Sequence, residues 1–128
     1  MKKGLKIIIT LIVLIAVIIG GAMISLNQGL EEGKNVEITG LNLSNIEDGT
    51  YKGKFDFQRW SNELNVMVKE HKITDIEIVK DVRFPNPELC IQLFEEVIEV
   101  QDTTVDIVSG STVTSKAYLK AIENALKK

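Results

Sequence analysis

A cluster of hydroxyl side chains around one glycine lies near the C-terminal end of the sequence. The segment reads Asp106-Ile107-Val108-Ser109-Gly110-Ser111-Thr112-Val113-Thr114-Ser115. A short apolar run precedes it and a periodic apolar pattern follows, so the pattern predicts a tight turn that opens a helix. Free amide hydrogens and the positive end of the helix dipole meet at such a point, and small residues let the backbone approach a phosphate closely. The segment therefore predicts an anion site at which a threonine hydroxyl lies beside a bound phosphate.

The same composition has a simpler interpretation. Ser and Thr are the preferred N-cap residues of helices, and Gly-Ser-Thr clusters are ordinary loops. A segment that only caps the last helix would contain the same residue types. The residues alone leave both interpretations open.

Three stretches of the sequence resemble motifs of the FMN-binding domain family. The segment from Asp106 to Thr112 resembles the flavinylation motif of that family, D-x-x-(S/T)-G-A-T. Asp48–Gly53 (DGTYKG) resembles the family's opening, and Asn65–Val79 resembles the hairpin that follows it. The resemblance covers the chain from about Glu47 to its C-terminus. The family includes flavin-carrying components of the sodium-translocating NADH:quinone oxidoreductase and of the related Rnf complex.

The resemblance implies a covalently bound cofactor. In the family, a flavin transferase takes FMN from FAD and joins its phosphate to the last threonine of the motif, which matches Thr112. Asp106 matches the position that the transferase recognises. The acceptor loop would be shaped by three small residues, Ser109, Gly110 and Ser111. Thr114 is the nearest substitute acceptor, since hydroxyls two residues apart can share one loop.

The chain departs from the family pattern at two places. Ser111 stands where the motif has Ala, a change that keeps the residue small. Arg83–Pro87 stands where many relatives have a Thr-Pro-Gly loop that helps to hold the flavin, so loop contacts to the isoalloxazine ring do not carry over. Trp60, in a turn, can stack on a flavin ring or fold back onto the sheet. Arg83 is interpreted as a surface residue.

The periodic patterns predict an α+β fold, an antiparallel β-meander with two packed helices. Period-2 alternation marks three half-buried strands within residues 51–57, 64–69 and 75–79, with Glu70-His71-Lys72 as a hairpin turn. Helical periodicity follows over Glu88–Val100 and Lys116–Leu126. Short strands are also predicted at Val36–Ile38 and Val105–Val108.

One N-terminal transmembrane helix precedes this domain. Residues 1–6 form a basic tail, 7–26 an apolar anchor, 27–46 a tether and 47–128 the FMN-binding domain. About 20 apolar residues span the bilayer core, and the lysines before the anchor place the N-terminus in the cytoplasm and the domain outside. A cleaved signal peptide is the alternative; it also exports the domain.

The charge and composition of the chain limit the kinds of partner and bound group that we expect. Beyond residue 30 the chain has 18 acidic and 12 basic residues, a net charge of −6, so nucleic acid is not an expected partner. Cys90 is the single cysteine, among apolar residues, which predicts a buried, inert thiol and no disulfide. One His and one Cys far apart supply no metal cluster.

These observations predict an electron-transfer carrier rather than an enzyme that converts a substrate, since no catalytic set is apparent. The expected partners are a flavin transferase that uses FAD, a membrane redox partner, and the bilayer through residues 7–26. Two alternatives stay open: a noncovalent FMN-binding accessory subunit of a membrane redox complex, and a structural anchored domain without flavin.

Overall fold

The computed structural model of the chain describes residues 2–107 and 111–127. The chain divides into two compact units, Met1–Glu31 and Glu32–Lys128. The second unit contains the three alternating strands and the two helices that the sequence patterns predict. Residues 108–110 lie outside the described residues.

The first unit is dominated by one long apolar helix, α1 (Lys2–Asn27). At 1.5 Å per residue its 26 residues extend about 39 Å, enough to cross a hydrocarbon core of about 30 Å. None of the residues in its apolar window is buried. The hydroxyl of Thr10 donates to the carbonyl oxygen of Lys6 (2.9 Å), so the helix satisfies its own polar side chain. By its length and composition, α1 is a candidate for a membrane-spanning helix. An N-terminal signal sequence meets the same two criteria.

The second unit contains a three-stranded antiparallel sheet in the order β1-β2-β3, which confirms the predicted meander. The strands are β1 (Gly49–Phe55), β2 (Asn62–Lys69) and β3 (Lys72–Lys80). The central strand β2 alternates between buried and half-buried residues, with Leu64 and Val66 fully buried. This alternation is the period of 2 that a sheet with one covered face requires.

A bulge in β3 adjusts which side chains reach the core. The pairing passes from Met67↔Asp75 to Val68↔Ile73, so β3 contains one extra residue. Side chains three positions apart on a regular strand point to opposite faces, yet Ile73 and Ile76 are both buried. The bulge explains how both isoleucines reach the core.

Two helices complete the α+β unit: α3 (Pro87–Val100) and α4 (Thr112–Leu126). Helix α4 packs on β1 and β2, and α3 contacts β3 and α4. The approach of α4 to β1 is close, since a Cβ atom at Gly53 would overlap the carbonyl oxygen of Ala121. A five-residue helix, α2 (Leu30–Lys34), precedes the sheet.

Helix α4 is buried on more than one side. Its buried residues are Val113, Ser115, Ala117, Tyr118, Leu119, Ala121, Ile122, Glu123, Ala125 and Leu126. The second side is covered by the segment of residues 36–46. Within this segment the backbone amides of Thr39 and Gly40 each donate to Glu123 Oε1 at 2.9 Å. The amide of Leu41 donates to Asp102 Oδ1, also at 2.9 Å.

The structure therefore differs from the predicted tether over residues 27–46. From Glu32 onward these residues belong to the second compact unit. The reason is the buried carboxylate of Glu123, which pairs backbone amides that a solvated tether would leave to water. The segment has no strand at Val36–Ile38, and residues 105–107, the described part of the predicted last strand, have none either.

Cys90 lies in a small titratable cluster between α3, α4 and the end of β3. The Tyr118 hydroxyl is fully buried and donates to Asp81 Oδ1. Burial, and then the hydrogen bond to Asp81, raise the pKa of Tyr118. Burial and the nearby Asp81 charge raise the pKa of the Cys90 thiol from its ordinary value of 9.0 to about 11.

We expect Cys90 to react slowly with iodoacetamide in the folded chain. The raised pKa lowers the thiolate fraction at pH 8 by roughly a hundredfold, and the thiolate is the reactive form. Intact mass after timed alkylation measures this rate. The same chain unfolded in urea is the control, and an equal rate in both states would contradict the buried thiol.

Candidate functional site

Helix α4 begins at Thr112, four residues earlier than the predicted Lys116. Ser111 occupies the N-cap position, and the first backbone hydrogen bond runs from the Ser115 amide to the Ser111 carbonyl oxygen (2.9 Å). The predicted acceptor therefore stands at the first position of the last helix. Ser109 and Gly110, the other small residues of the predicted loop, lie outside the described residues.

The hydroxyl side chain at the start of α4 does not cap the helix. Ser111 makes no side-chain cap hydrogen bond. Helix α3 shows the contrast, because Asn86 Oδ1 there accepts from the Leu89 amide at 3.3 Å. Among the described residues no side chain caps this helix start, and first-turn amides without a capping partner, together with the positive end of the dipole, can bind an anion. This geometry favours the anion-site interpretation of the hydroxyl cluster over the cap interpretation.

The first turn of α4 is anchored on its inner side and accessible on its outer side. Val113 is buried against Gly33, where an added Cβ atom would overlap its side chain. Thr112 and Thr114 are only half-buried. Asp106, at the predicted transferase recognition position, is exposed. Thr112 thus combines a fixed backbone with partial access to solvent.

A cavity of about 220 Å³ lies beside this turn. It is lined by Arg59, Trp60, Val82, Phe84 and Thr114. Pockets that enclose a whole drug-sized ligand measure roughly 300–1,000 Å³, so this cavity suits one part of a ligand that extends to the surface. Its residues come from the turn between β1 and β2, the loop after β3, and α4.

Three hydrogen bonds join the elements around the cavity. The Arg83 amide donates to the Arg59 carbonyl oxygen (2.9 Å), which ties the loop after β3 to the short 3-10 helix Gln58–Trp60. Asn62 Nδ2 donates to the carbonyl oxygens of Trp60 (3.1 Å) and Ala117 (3.2 Å). The 3-10 helix is thereby held against α4, and the cavity wall is fixed.

The two aromatic residues of the cavity differ in their exposure to solvent. Trp60 is 5% exposed, stacks on Phe57 with ring centroids 5.8 Å apart, and has the Arg59 guanidinium 4.5 Å from its ring centroid. Its ring is already engaged, which favours the interpretation that it folds back onto the sheet. Phe84 is 59% exposed and presents an open ring. Phe84 is therefore the aromatic side chain best placed to contact a planar ligand.

Three buried polar atoms without a partner belong to elements that adjoin this cavity. Within residues 2–107 and 111–127, three buried side-chain atoms have no hydrogen-bond partner: Arg59 Nε, Asn62 Oδ1 and Ser115 Oγ. All three belong to the 3-10 helix, the start of β2 or the first turns of α4. Buried polar atoms are normally paired, and of these three residues Arg59 lines the cavity, which fits a site that binds a group outside the chain.

A larger cavity, of about 290 Å³, lies at the other end of α4. Thr39–Ile46 and the last turn of the helix form it. It begins eleven residues beyond Thr112, about 16 Å along the helix axis. The carboxylate of Glu123 in its wall is already paired with the chain, so we place the functional site at the smaller cavity.

The sequence patterns did not single out Arg59, Phe84 or Asn62. The signals that were available are weak: Arg59 and Arg83 are the only arginines of the chain, and Phe84 is an apolar residue between an arginine and a proline. Their proximity to Thr114 depends on how the 3-10 helix and the loop after β3 fold over α4. Such tertiary contacts have no local sequence pattern.

These features define a small α+β domain whose last helix offers an uncapped start beside an aromatic, arginine-containing cavity. The sequence model of the FMN-binding domain family matches residues 21–127. The chain therefore belongs to this family. No curated protein matches the chain. The family match extends to the N-terminal side of Glu47, where the resemblance noted in the sequence began, and it includes the segment that packs on α4.

Proposed function

We propose that the chain is a membrane-anchored, extracytoplasmic flavoprotein that carries FMN as a phosphoester on Thr112 and transfers electrons. One observation carries the proposal: α4 starts at Thr112 without a side-chain cap, beside a cavity that Thr114 lines together with Arg59 and Phe84. The family match supplies the identity of the cofactor.

The attachment step follows from the chemistry of a threonine hydroxyl and FAD. Thr112 Oγ1 forms a bond to the phosphorus of the FMN half of FAD. The phosphorus–oxygen bond to AMP breaks, AMP leaves, and the hydroxyl proton passes to a base of the flavin transferase. The phosphoester keeps one negative charge, which the first-turn amides and the dipole of α4 stabilise.

The protein residues then hold and locate the cofactor. FMN, when bound, supplies reversible redox chemistry. Thr112 fixes the phosphate, while the cavity wall at Val82 and Phe84 provides apolar surface for a planar ring. A covalent link suits a domain outside the cytoplasm, since a dissociated cofactor would be lost by dilution. Asp106 is the residue that we assign to recognition by the transferase.

The membrane arrangement is part of the proposal. Helix α1 is long and apolar enough to span a bilayer. Lys2, Lys3 and Lys6 precede its apolar stretch, and positive residues favour the cytoplasmic side. We therefore place the second compact unit at the outer face, where it accepts electrons from a membrane redox partner.

A noncovalent FMN-binding subunit is the second candidate, favoured by the cavity itself, which can hold a ring without a covalent bond. Expression of the full chain with and without a co-expressed flavin transferase separates the two. We expect the intact mass to increase by one FMN less one water only when the transferase is present. Flavin that is lost on denaturation in both samples would favour the noncovalent subunit, and no flavin in either sample would contradict both candidates.

A further inference from the structure

The two arginines of the chain flank the same aromatic ring. The guanidinium carbons of Arg59 and Arg83 each lie 5.8 Å from the ring centroid of Phe84. The ion pairs in residues 2–107 and 111–127 all involve lysines, so neither arginine is paired with a carboxylate there. The second compact unit has more acidic than basic residues. Two arginines at one site without a carboxylate partner therefore indicate that their positive charges interact with a group outside the chain.

Arg59 and Arg83 differ in where their charges lie. Arg59 lines the cavity, is half-buried, and has a buried Nε atom without a partner. Arg83 is exposed and is not part of the cavity wall. A buried N–H donor without an acceptor is rare in proteins unless its partner is a water or a ligand. The residue that carries this unsatisfied donor lines the cavity.

We propose that Arg59 is the positioning residue that faces the flavin ring and favours its reduced form. The inference rests on the proposed function. A reduced flavin ring is anionic at neutral pH along its N1–C2 carbonyl edge, and the oxidised ring is neutral. A fixed guanidinium in a partly buried wall stabilises the anionic form more than the neutral one. Arg59 thereby raises the reduction potential of the bound flavin.

The geometry assigns Arg59 to the ring rather than to the phosphate. The phosphate is covalently placed at Thr112, where the helix start already supplies amide donors and a favourable dipole. Arg59 is instead stacked 4.5 Å from the ring centroid of Trp60 and lies near the open ring of Phe84. A planar cation between aromatic side chains matches a planar, partly apolar ligand.

Midpoint potentials of the full chain with attached flavin test the inference. We expect Arg59→Met to lower the preference for reduced flavin about tenfold, which is about 30 mV for a two-electron couple. Arg59→Lys keeps the charge and should keep most of the potential. Arg83→Met is the matched control, since it removes a charge at the same distance from Phe84 but outside the cavity, and it should leave the potential unchanged.

An unchanged potential in Arg59→Met, with the flavin mass present, would overturn the inference and leave the proposed function intact. An equal shift in Arg83→Met would also overturn it, since any nearby charge would then suffice. A merely structural role would lower the urea midpoint of Arg59→Met without changing the potential. If Arg59→Met does not fold, the comparison of Arg59→Gln with Arg59→Lys replaces it.

A second measurement needs no covalent flavin. The Thr112→Ala chain is titrated with riboflavin, which has no phosphate, and with FMN, each in oxidised and reduced form. We expect an added Arg59→Met change to weaken binding of reduced riboflavin about tenfold relative to the oxidised form, and FMN equally. A loss confined to FMN would assign Arg59 to the phosphate, and no riboflavin binding would remove the ring site; either result overturns the inference.

Discussion

Thr112→Ala is expected to abolish covalent flavin attachment completely. The hydroxyl of Thr112 is the nucleophile of the proposed step, and alanine has no oxygen to replace it. The exchange should leave the helix in place, because Val113 and Ser115 anchor its first turn from the buried side. The intact mass of the full chain and the in-gel fluorescence of the denatured protein both measure the loss.

Thr114→Ala is the matched control for this prediction. It removes a neighbouring hydroxyl from the cavity wall and should keep the added flavin mass. If the mass persists in Thr112→Ala and disappears in Thr114→Ala, the acceptor is Thr114 and our assignment is wrong. Equal urea midpoints in both variants would show that the difference lies in attachment and not in folding.

Glu123→Ala is expected to cause a large loss of stability. The carboxylate is 3% exposed, and its Oε1 accepts hydrogen bonds from the Thr39 amide, the Gly40 amide and the Thr103 hydroxyl (2.8 Å). Its Oε2 lies 3.2 Å from Lys120 Nζ. Removal leaves the buried Thr103 hydroxyl and the partly buried amides of Thr39 and Gly40 without an acceptor. We therefore expect the free energy of unfolding to fall by about 3–5 kcal/mol.

Urea unfolding of the full chain in detergent, followed by the fluorescence of Trp60, measures this change. Trp60 is the only tryptophan and is 5% exposed, so its emission reports on the second compact unit. Glu99→Ala, at an exposed position of α3, is the control and should change stability by less than about 0.5 kcal/mol. A similar small effect for Glu123→Ala would show that the segment of residues 36–46 is not held through this carboxylate.

The sheet and α3 were predictable because their patterns are local. The alternation in β2 and the helical period after Pro87 each arise because one face of the element is buried, so the apolar residues repeat at a regular spacing. The predicted start of α4 lies too late, since Thr and Ser are weak helix formers and the first turn is anchored by the contact of Val113 with the distant Gly33. The role of Glu123 was equally unpredictable, because a glutamate on a helix normally faces water.

The motif of the candidate site could be recognised in the sequence, whereas the cavity beside it could not be predicted. The motif from Asp106 to Thr112 is a run of consecutive residues, so it can be recognised without knowledge of the fold. The cavity depends on Arg59, Phe84 and Thr114, which are far apart in the sequence and meet only after the loop after β3 folds over α4. The spacing of these residues in the sequence does not indicate that they line one cavity.

The most direct test of the central claim is to locate the flavin within the chain. Trypsin cleaves after Arg83 and Lys116, so one peptide, residues 84–116, contains the whole motif. Fragmentation mass spectrometry of this peptide, from chain produced with the transferase, identifies the modified residue. We expect the FMN phosphate on Thr112. An adduct on any other hydroxyl of the peptide, or an unmodified peptide with no flavin elsewhere, would contradict the account.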